Sequence, residues 1–187
     1  MNNLELFRII LRFACHQKKN RCFKLADSFS VLCSRCTGNQ YGFLFTLIWL
    51  FIFYGLSSVS FSIWLIGLMI LPVAIDGFTQ LFKLRESNNT IRFFSGYLAG
   101  SAIATSFFFV FSKVFASGTV VATIPNWNSL LSFLIAPIVF LIFHLGRNSK
   151  SFKTFSNGAS LFLIFLSILL SLSLGVSVIV KLIFVLL

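Results

Sequence analysis

The chain has 187 residues, of which 58% are hydrophobic and only 10% charged, and its 15 basic against 4 acidic residues give a formal net charge of +11. A soluble domain carries about 25% charged residues, and a soluble core of this size could not bury so much apolar surface. This composition excludes a soluble globular protein, a disordered tail and a disulfide scaffold. It indicates a polytopic membrane protein.

The first segment predicts an amphipathic helix at the membrane surface. Leu4, Phe7 and Ile10 recur at helical spacing, with basic residues on another face. Such a helix lies in the membrane interface, and the apolar stretch is too short for a cleaved secretory signal. We therefore divide the chain into a cytoplasmic segment, residues 1–40, that holds this helix and the cysteines, and a transmembrane bundle, residues 41–187.

Uncharged stretches predict the membrane crossings. A spanning helix needs about 20 mostly apolar residues, so the 39 uncharged residues from 37 to 75 must make two crossings, with a break at the small residues near Gly55. The predicted spans cover residues 42–56, 61–75, 93–112, 129–145 and 159–180. The predicted fold is therefore all-α, a polytopic bundle of about five transmembrane helices.

The basic residues alternate between the two sides of this bundle. Seven precede the first span, three follow the second and three follow the fourth, whereas the opposite loops hold only Lys113. Cytoplasmic loops carry the excess of Lys and Arg, so we predict a multi-pass protein of the inner (cytoplasmic) membrane with a cytoplasmic N-terminus and an external C-terminus. The same clusters suit lipid head groups rather than nucleic acid.

All four cysteines precede the first predicted span, on the side where thiols stay reduced. The two-residue gap between Cys33 and Cys36 lets both thiolates reach one tetrahedral ion. We predict a zinc site formed by these two thiolates together with Cys15 and His16. Because adjacent residues bind one ion awkwardly, Cys22 or water is the substitute for one of them. A dithiol redox pair and purely structural thiols are the alternatives.

A second polar cluster follows the second predicted span. Asp76 and Gln80 are four residues apart and share one helix face, and Arg92 follows across the loop. A carboxylate at membrane depth is costly and marks a functional site or an ion pair. We predict catalytic roles for Asp76, Gln80 and Arg92, with a simple Asp76–Arg92 ion pair as the alternative. Because the first two spans should form a hairpin, we expect this cluster and the cysteines to make one site.

The third predicted span carries a stripe of small residues. Gly96, Gly100 and Ala104 repeat every four residues and therefore share one helix face. Small residues at this spacing let two membrane helices approach closely, so the stripe predicts a packing face.

Several ordered motifs resemble those of a family of prokaryotic integral membrane proteins of unknown function. They are Cys15-His16-Gln17, Arg21-Cys22-Phe23, Cys33-Ser34-Arg35-Cys36-Thr37-Gly38, Asp76-Gly77-x2-Gln80 and Asn89-x2-Arg92. The resemblance covers about residues 13–100. Two departures are Gln40, where the family favours tyrosine, and Ser95, where it favours threonine. The resemblance implies a membrane location and supports the site, but it implies no activity.

Three functional hypotheses follow, and a metal or small-solute carrier ranks last because the first, third, fourth and fifth predicted spans contain no acidic residue. The first is a metal-dependent enzyme acting on a membrane-associated substrate, in which the metal activates water or polarises a substrate oxygen. In this hypothesis Asp76 acts as acid or base, and Arg92 or Arg21 holds an anionic group. The second is a non-catalytic accessory or assembly subunit of a larger membrane complex, with the metal as a structural staple. Expected partners are the lipid bilayer and either other membrane proteins or further copies of the chain.

Overall fold

The computed structural model is an α-helical bundle. Its helices are α1 (Ser34–Tyr54), α2 (Ile63–Leu81), α3 (Asn89–Phe115) and α4 (Asn126–Gly146). The structure describes residues 15, 18–25, 28–55, 58–60, 62–115, 121–123, 126–146 and 148–151, and the single residues 158, 162, 165, 169 and 172. Helices α1 and α2 and most of α3 are long and apolar enough to cross a membrane. The prediction of an all-α membrane bundle is confirmed.

The helices extend beyond the predicted spans at the end that carries the charges. Helix α1 begins at Ser34 rather than at residue 42, so the predicted division at residue 40 falls inside it. Helix α2 continues through Asp76 to Leu81. A predicted helix that ends at the first charged residue is too short here. Arg35 and Asp76 both lie within helices, because they pair with each other.

The remaining predicted helices are described in part or not at all. Helix α4 coincides with the predicted fourth span. The predicted fifth span, residues 159–180, lies outside the described residues apart from a few single positions, and the predicted amphipathic helix before Cys15 lies wholly outside them.

Helices α1 and α3 pack closely because glycines of each helix lie against the backbone of the other. An added Cβ on any of four glycines would overlap a backbone carbonyl oxygen of the facing helix. These glycines are Gly38, Gly42, Gly96 and Gly100. The predicted small-residue face of the third span is confirmed, since Ala104 is also buried in the core between the two helices. Ser101 strengthens the contact by donating a hydrogen bond to the Gly42 carbonyl across the interface.

Short strands, which the sequence did not predict, connect the helices. Strands β1 (Cys22–Leu25) and β2 (Ser28–Cys33) form an antiparallel hairpin that leads directly into α1. Strands β3 (Ser58–Ser60) and β4 (Val121–Thr123) pair in parallel and link the α1–α2 and α3–α4 connections. The helices alternate in direction, so the β1–β2 hairpin, the α2–α3 loop and the end of α4 meet at one end of the bundle. We call this the basic end.

Candidate metal centre

Three of the four thiols meet at the basic end. The Sγ atoms of Cys15, Cys33 and Cys36 all lie within 4.8 Å of one another. The hairpin creates this proximity, because β2 ends at Cys33, which occupies the N-cap position of α1, and Cys36 lies in the first turn of that helix. In a tetrahedral zinc site with bonds of about 2.3 Å, sulfur ligands lie about 3.8 Å apart. A small contraction would bring the three thiolates onto one ion.

The setting of these thiols is apolar, with Cys15 buried and Cys33 and Cys36 half-buried. Cys15 is only 4% exposed and packs with Val31 and Leu32 of β2. The backbone N–H of Cys33 donates a hydrogen bond to the Cys15 sulfur at 3.3 Å. Contact with the Cys15 thiol raises the pKa of Cys33, and burial adds to that effect. Crowded thiols without a cation keep their protons, whereas a bound metal ion favours the thiolates.

Of the two remaining candidate ligands, His16 and Cys22, the structure describes only Cys22. His16 lies outside the described residues, so its place beside Cys15 rests on the sequence alone. Cys22 is buried, and its thiol donates to the Lys18 carbonyl oxygen at 3.3 Å. It does not belong to the group formed by the other three cysteines.

Asp76 is the buried acid of this end of the bundle. Its side chain is 1% exposed and forms ion pairs with Arg35 of α1 and with Arg85 of the α2–α3 loop, the latter at 3.7 Å. The alternative prediction, that Asp76 forms an ion pair with Arg92, is therefore wrong: Asp76 forms ion pairs, but with Arg35 and Arg85. Arg35 stands between Cys33 and Cys36 in the sequence, so the carboxylate of α2 binds the first turn of α1, which also carries Cys36.

Gln80 and Arg92 extend this network toward the hairpin. Gln80 donates to the backbone carbonyl of Asp76 at 2.9 Å, and Arg92 donates to the Gln80 side-chain oxygen at 3.5 Å. Arg92 also donates to Asn89 at 3.4 Å, and the Asn89 amide donates to the Cys22 carbonyl at 3.1 Å. The three predicted catalytic residues thus lie in one chain of polar contacts that joins α2, α3 and β1.

Neither Arg35 nor Arg85 was predicted from the sequence as a partner of Asp76. A signal for Arg35 was present, because Arg35 and Asp76 are the charges nearest to the two ends of the uncharged stretch 37–75. A stretch that crosses the membrane twice returns its two ends to the same side. The structure brings these ends together, although α1 and α2 each pack mainly against α3 rather than against each other.

Residues 15–106 match the family model described as "Predicted membrane protein (DUF2085)". An uncharacterized protein of Methanothermobacter thermautotrophicus is 38% identical over 93 residues, which cover 50% of this chain and 83% of that protein. The chain belongs to this family. The matched region contains the three clustered cysteines and the polar network, so both are features of the part of the chain that the family shares.

A second relative shows the same region of similarity. An uncharacterized protein of Methanocaldococcus jannaschii is 36% identical over 93 residues, which cover 48% of this chain and 58% of that protein. The chain thus spans little more than half the length of this relative. No solved structure is significantly similar to the chain.

Proposed function

We propose that this member of the family carries a zinc-type metal centre at its basic end, ligated by Cys15, Cys33 and Cys36 with His16 as the fourth ligand. The observation that carries the proposal is the convergence of three sulfur atoms to within 4.8 Å. Thiolates with one imidazole form a donor set that zinc accepts in tetrahedral geometry. The fourth ligand is taken from its position next to Cys15 in the sequence.

In the version we favour, the metal is a structural staple. Cys15 precedes the hairpin, Cys33 ends it, and Cys36 belongs to the first membrane-spanning helix. An ion held by all three therefore fixes the N-terminal segment to that helix. The burial of Cys15 and its apolar neighbours support an enclosed site. A protein of this kind serves as an accessory or assembly subunit of a larger membrane complex.

The second candidate is a metal-dependent enzyme, and a different observation favours it. Asp76, Gln80 and Arg92 lie in one polar network that reaches the first turn of α1, next to Cys36, through Arg35. In this version the metal supplies Lewis-acid chemistry to a membrane-associated substrate, and Arg92 holds its anionic group. Two arginines bind Asp76, so it would have to leave these ion pairs before transferring a proton.

Metal analysis of the purified protein tests the centre itself. We expect about one zinc ion per chain, complete loss when Cys33→Ser and Cys36→Ser are combined, and retention in Cys22→Ser. The last variant is a matched control, because Cys22 is a buried cysteine of the same hairpin that lies outside the group. Loss of the metal should also lower the melting temperature, because metal binding contributes to folding. Metal-free wild-type protein with four titratable thiols would contradict the proposal.

Coordination number and an Asp76 variant separate the two versions. X-ray absorption should find four protein ligands for a staple, and three protein ligands with an open position for an enzyme. For Asp76→Asn, the enzyme version expects loss of cellular function even where folded protein is present at the wild-type amount. The staple version expects function to fall only in proportion to folded protein, and stoichiometric partners to co-purify in mild detergent.

The orientation in the membrane is a further part of the proposal. The described loops at the basic end carry most of the Lys and Arg, and Lys113 lies near the opposite end, which favours a cytoplasmic basic end. A reporter that is active only in the cytoplasm should be active when fused after Lys150 and silent when fused at Pro125. The reverse pattern would exclude this orientation.

A further inference from the structure

A polar cavity of about 500 Å³ opens at the basic end, beside the network described above. Among the described residues, four cationic side chains and the acid Glu86 line it. The cations are Arg21, Lys83, Arg85 and Arg92. Even with the Asp76 carboxylate 3.7 Å from Arg85, positive charge exceeds negative charge in the part of this lining that the structure describes.

Two of these arginines have hydrogen-bonding capacity left over. The Nε atoms of Arg21 and Arg92 are buried and have no hydrogen-bond partner among the described residues. A buried donor without a partner costs free energy, and like charges placed together repel. An anion with several acceptor oxygens would offset the repulsion between these guanidinium groups, because guanidinium groups bind phosphate through paired N–H···O contacts.

An apolar groove of about 480 Å³ lies between α2 and α3 and shares one lining residue with this cavity. Its walls are apolar side chains of α2 and α3, among them Leu71, Ile75 and Leu98. Arg85 lines both the groove and the cavity. The two spaces therefore meet at one arginine, with positive charge on one side and a hydrocarbon-like surface on the other.

We propose that the cavity and groove together bind one anionic membrane lipid, with its phosphate between Arg21, Arg85 and Arg92 and an acyl chain along the groove. The charge of the cavity selects a phosphate, and the apolar groove that shares Arg85 with it selects a lipid over free phosphate. Basic pockets of this kind between membrane helices are suited to anionic head groups. The proposal does not require the metal. In the enzyme version of the function the lipid would be the substrate, and in the staple version a structural ligand.

Native mass spectrometry of delipidated protein with added phosphatidylglycerol tests the head-group half. We expect the wild type to retain one lipid per chain, and Arg21→Gln combined with Arg92→Gln to bind it about tenfold more weakly or worse, because charge-assisted hydrogen bonds are lost. Lys18→Gln is the control, since Lys18 is an exposed basic residue of the same end. Arg85→Gln tests the same point at a more exposed position if the double variant fails to fold. Equal binding by the arginine variants and the control would overturn the proposal.

A pair of bulky substitutions on α2 tests the groove half. Leu71→Trp places an indole in the groove, whereas Ile70→Trp changes a similarly exposed neighbour that does not line it. We expect only Leu71→Trp to weaken binding of phosphatidylglycerol. Thermal shift with inorganic phosphate alone is the second arm, and phosphate should stabilise the protein much less than the lipid does. If phosphate matches the lipid, the cavity takes a free phosphate, and if both tryptophan variants bind the lipid normally, the groove does not hold the acyl chain. Either result overturns the lipid proposal.

Discussion

Helices α3 and α2 are neighbours of similar apolar character that are held in the bundle by different means. In the apolar part of α3, 56% of the residues are buried, against 11% for α2. Helix α3 presents glycines to α1 and buries large side chains such as Phe93 and Phe108. Of the residues of α2, Met69 and Asp76 are buried.

This difference shows two ways of placing a helix in a bilayer. Lipid chains are as apolar as leucine, so apolar surface alone does not drive helix association. Helix α3 is placed by close steric fit along much of its length. Helix α2 turns most of its apolar surface outward, and its position depends on charges and hydrogen bonds at one end, centred on Asp76. The two helices should therefore respond to different substitutions.

The largest effect is expected where α2 is anchored. Asp76→Ala leaves Arg35 without its buried partner, and removing one member of a buried ion pair costs about 3–5 kcal/mol. We expect the lower end of this range, because the Arg35 side chain is 33% exposed. Denaturant unfolding in detergent micelles, followed by tryptophan fluorescence, measures the loss.

A double-mutant cycle with Arg35→Ala shows whether this loss comes from the pair. The combined variant should lose less stability than the sum of the two single losses, because neither member of the ion pair is then left without the other. If the two single losses simply add, the two residues act independently, and α2 is held by something other than this ion pair.

A smaller effect is expected at the glycine contact of α3. Gly100→Val forces side-chain atoms against the backbone of α1, and overpacking typically costs about 1–3 kcal/mol. Gly67→Val in α2 is the matched control, because an added Cβ there meets nothing within 4 Å. The measurement is the same unfolding experiment. Equal losses in the two variants would mean that α3 is not placed by close fit.

The smallest effect is expected for the hydrogen bonds around the anchor. Gln80→Ala removes the donor to the Asp76 carbonyl and the acceptor of Arg92, and a typical hydrogen bond contributes about 1 kcal/mol. The matching change on α3 is Thr105→Ala, which removes a hydrogen bond within one helix. We expect Gln80→Ala to cost more, since it removes two hydrogen bonds, one of which joins α2 to α3. A larger loss for Thr105→Ala would argue against the polar anchor.

The sequence predicted the membrane helices and the glycine face because both depend on local composition. The length of an uncharged stretch predicts a membrane-spanning helix, and the four-residue spacing of Gly96 and Gly100 predicts that both lie on one face of that helix. The sequence also predicted Cys33 and Cys36 as metal ligands, since their spacing is local, and it predicted Cys15, which the fold brings close to them. What it did not supply was the partner of Asp76. Pairing across 41 residues depends on where two helix ends meet, and no local pattern encodes that position.

The short strands escaped prediction for a related physical reason. Strand β2 contains Phe29 and Val31, which suit a strand, but a two-stranded hairpin is at best marginally stable alone. Here it is stabilised from outside, because the ring of Phe23 of β1 packs edge-on to Phe93 of α3 and at a tilt to Phe140 of α4. The hairpin is a product of the helical bundle, so only knowledge of the bundle could have predicted it.

The ion pair between Arg35 and Asp76 also sets an order of events during synthesis. Proteins are made from the N-terminus onward, and domains assemble as their parts emerge. Both charges have emerged once α2 is complete, so this pair can form while α3 is still unmade. The glycine face of α1 has no such early partner, because the backbone that it contacts begins at Phe93. The first two helices can therefore be joined through their charges before the third arrives to complete the packing.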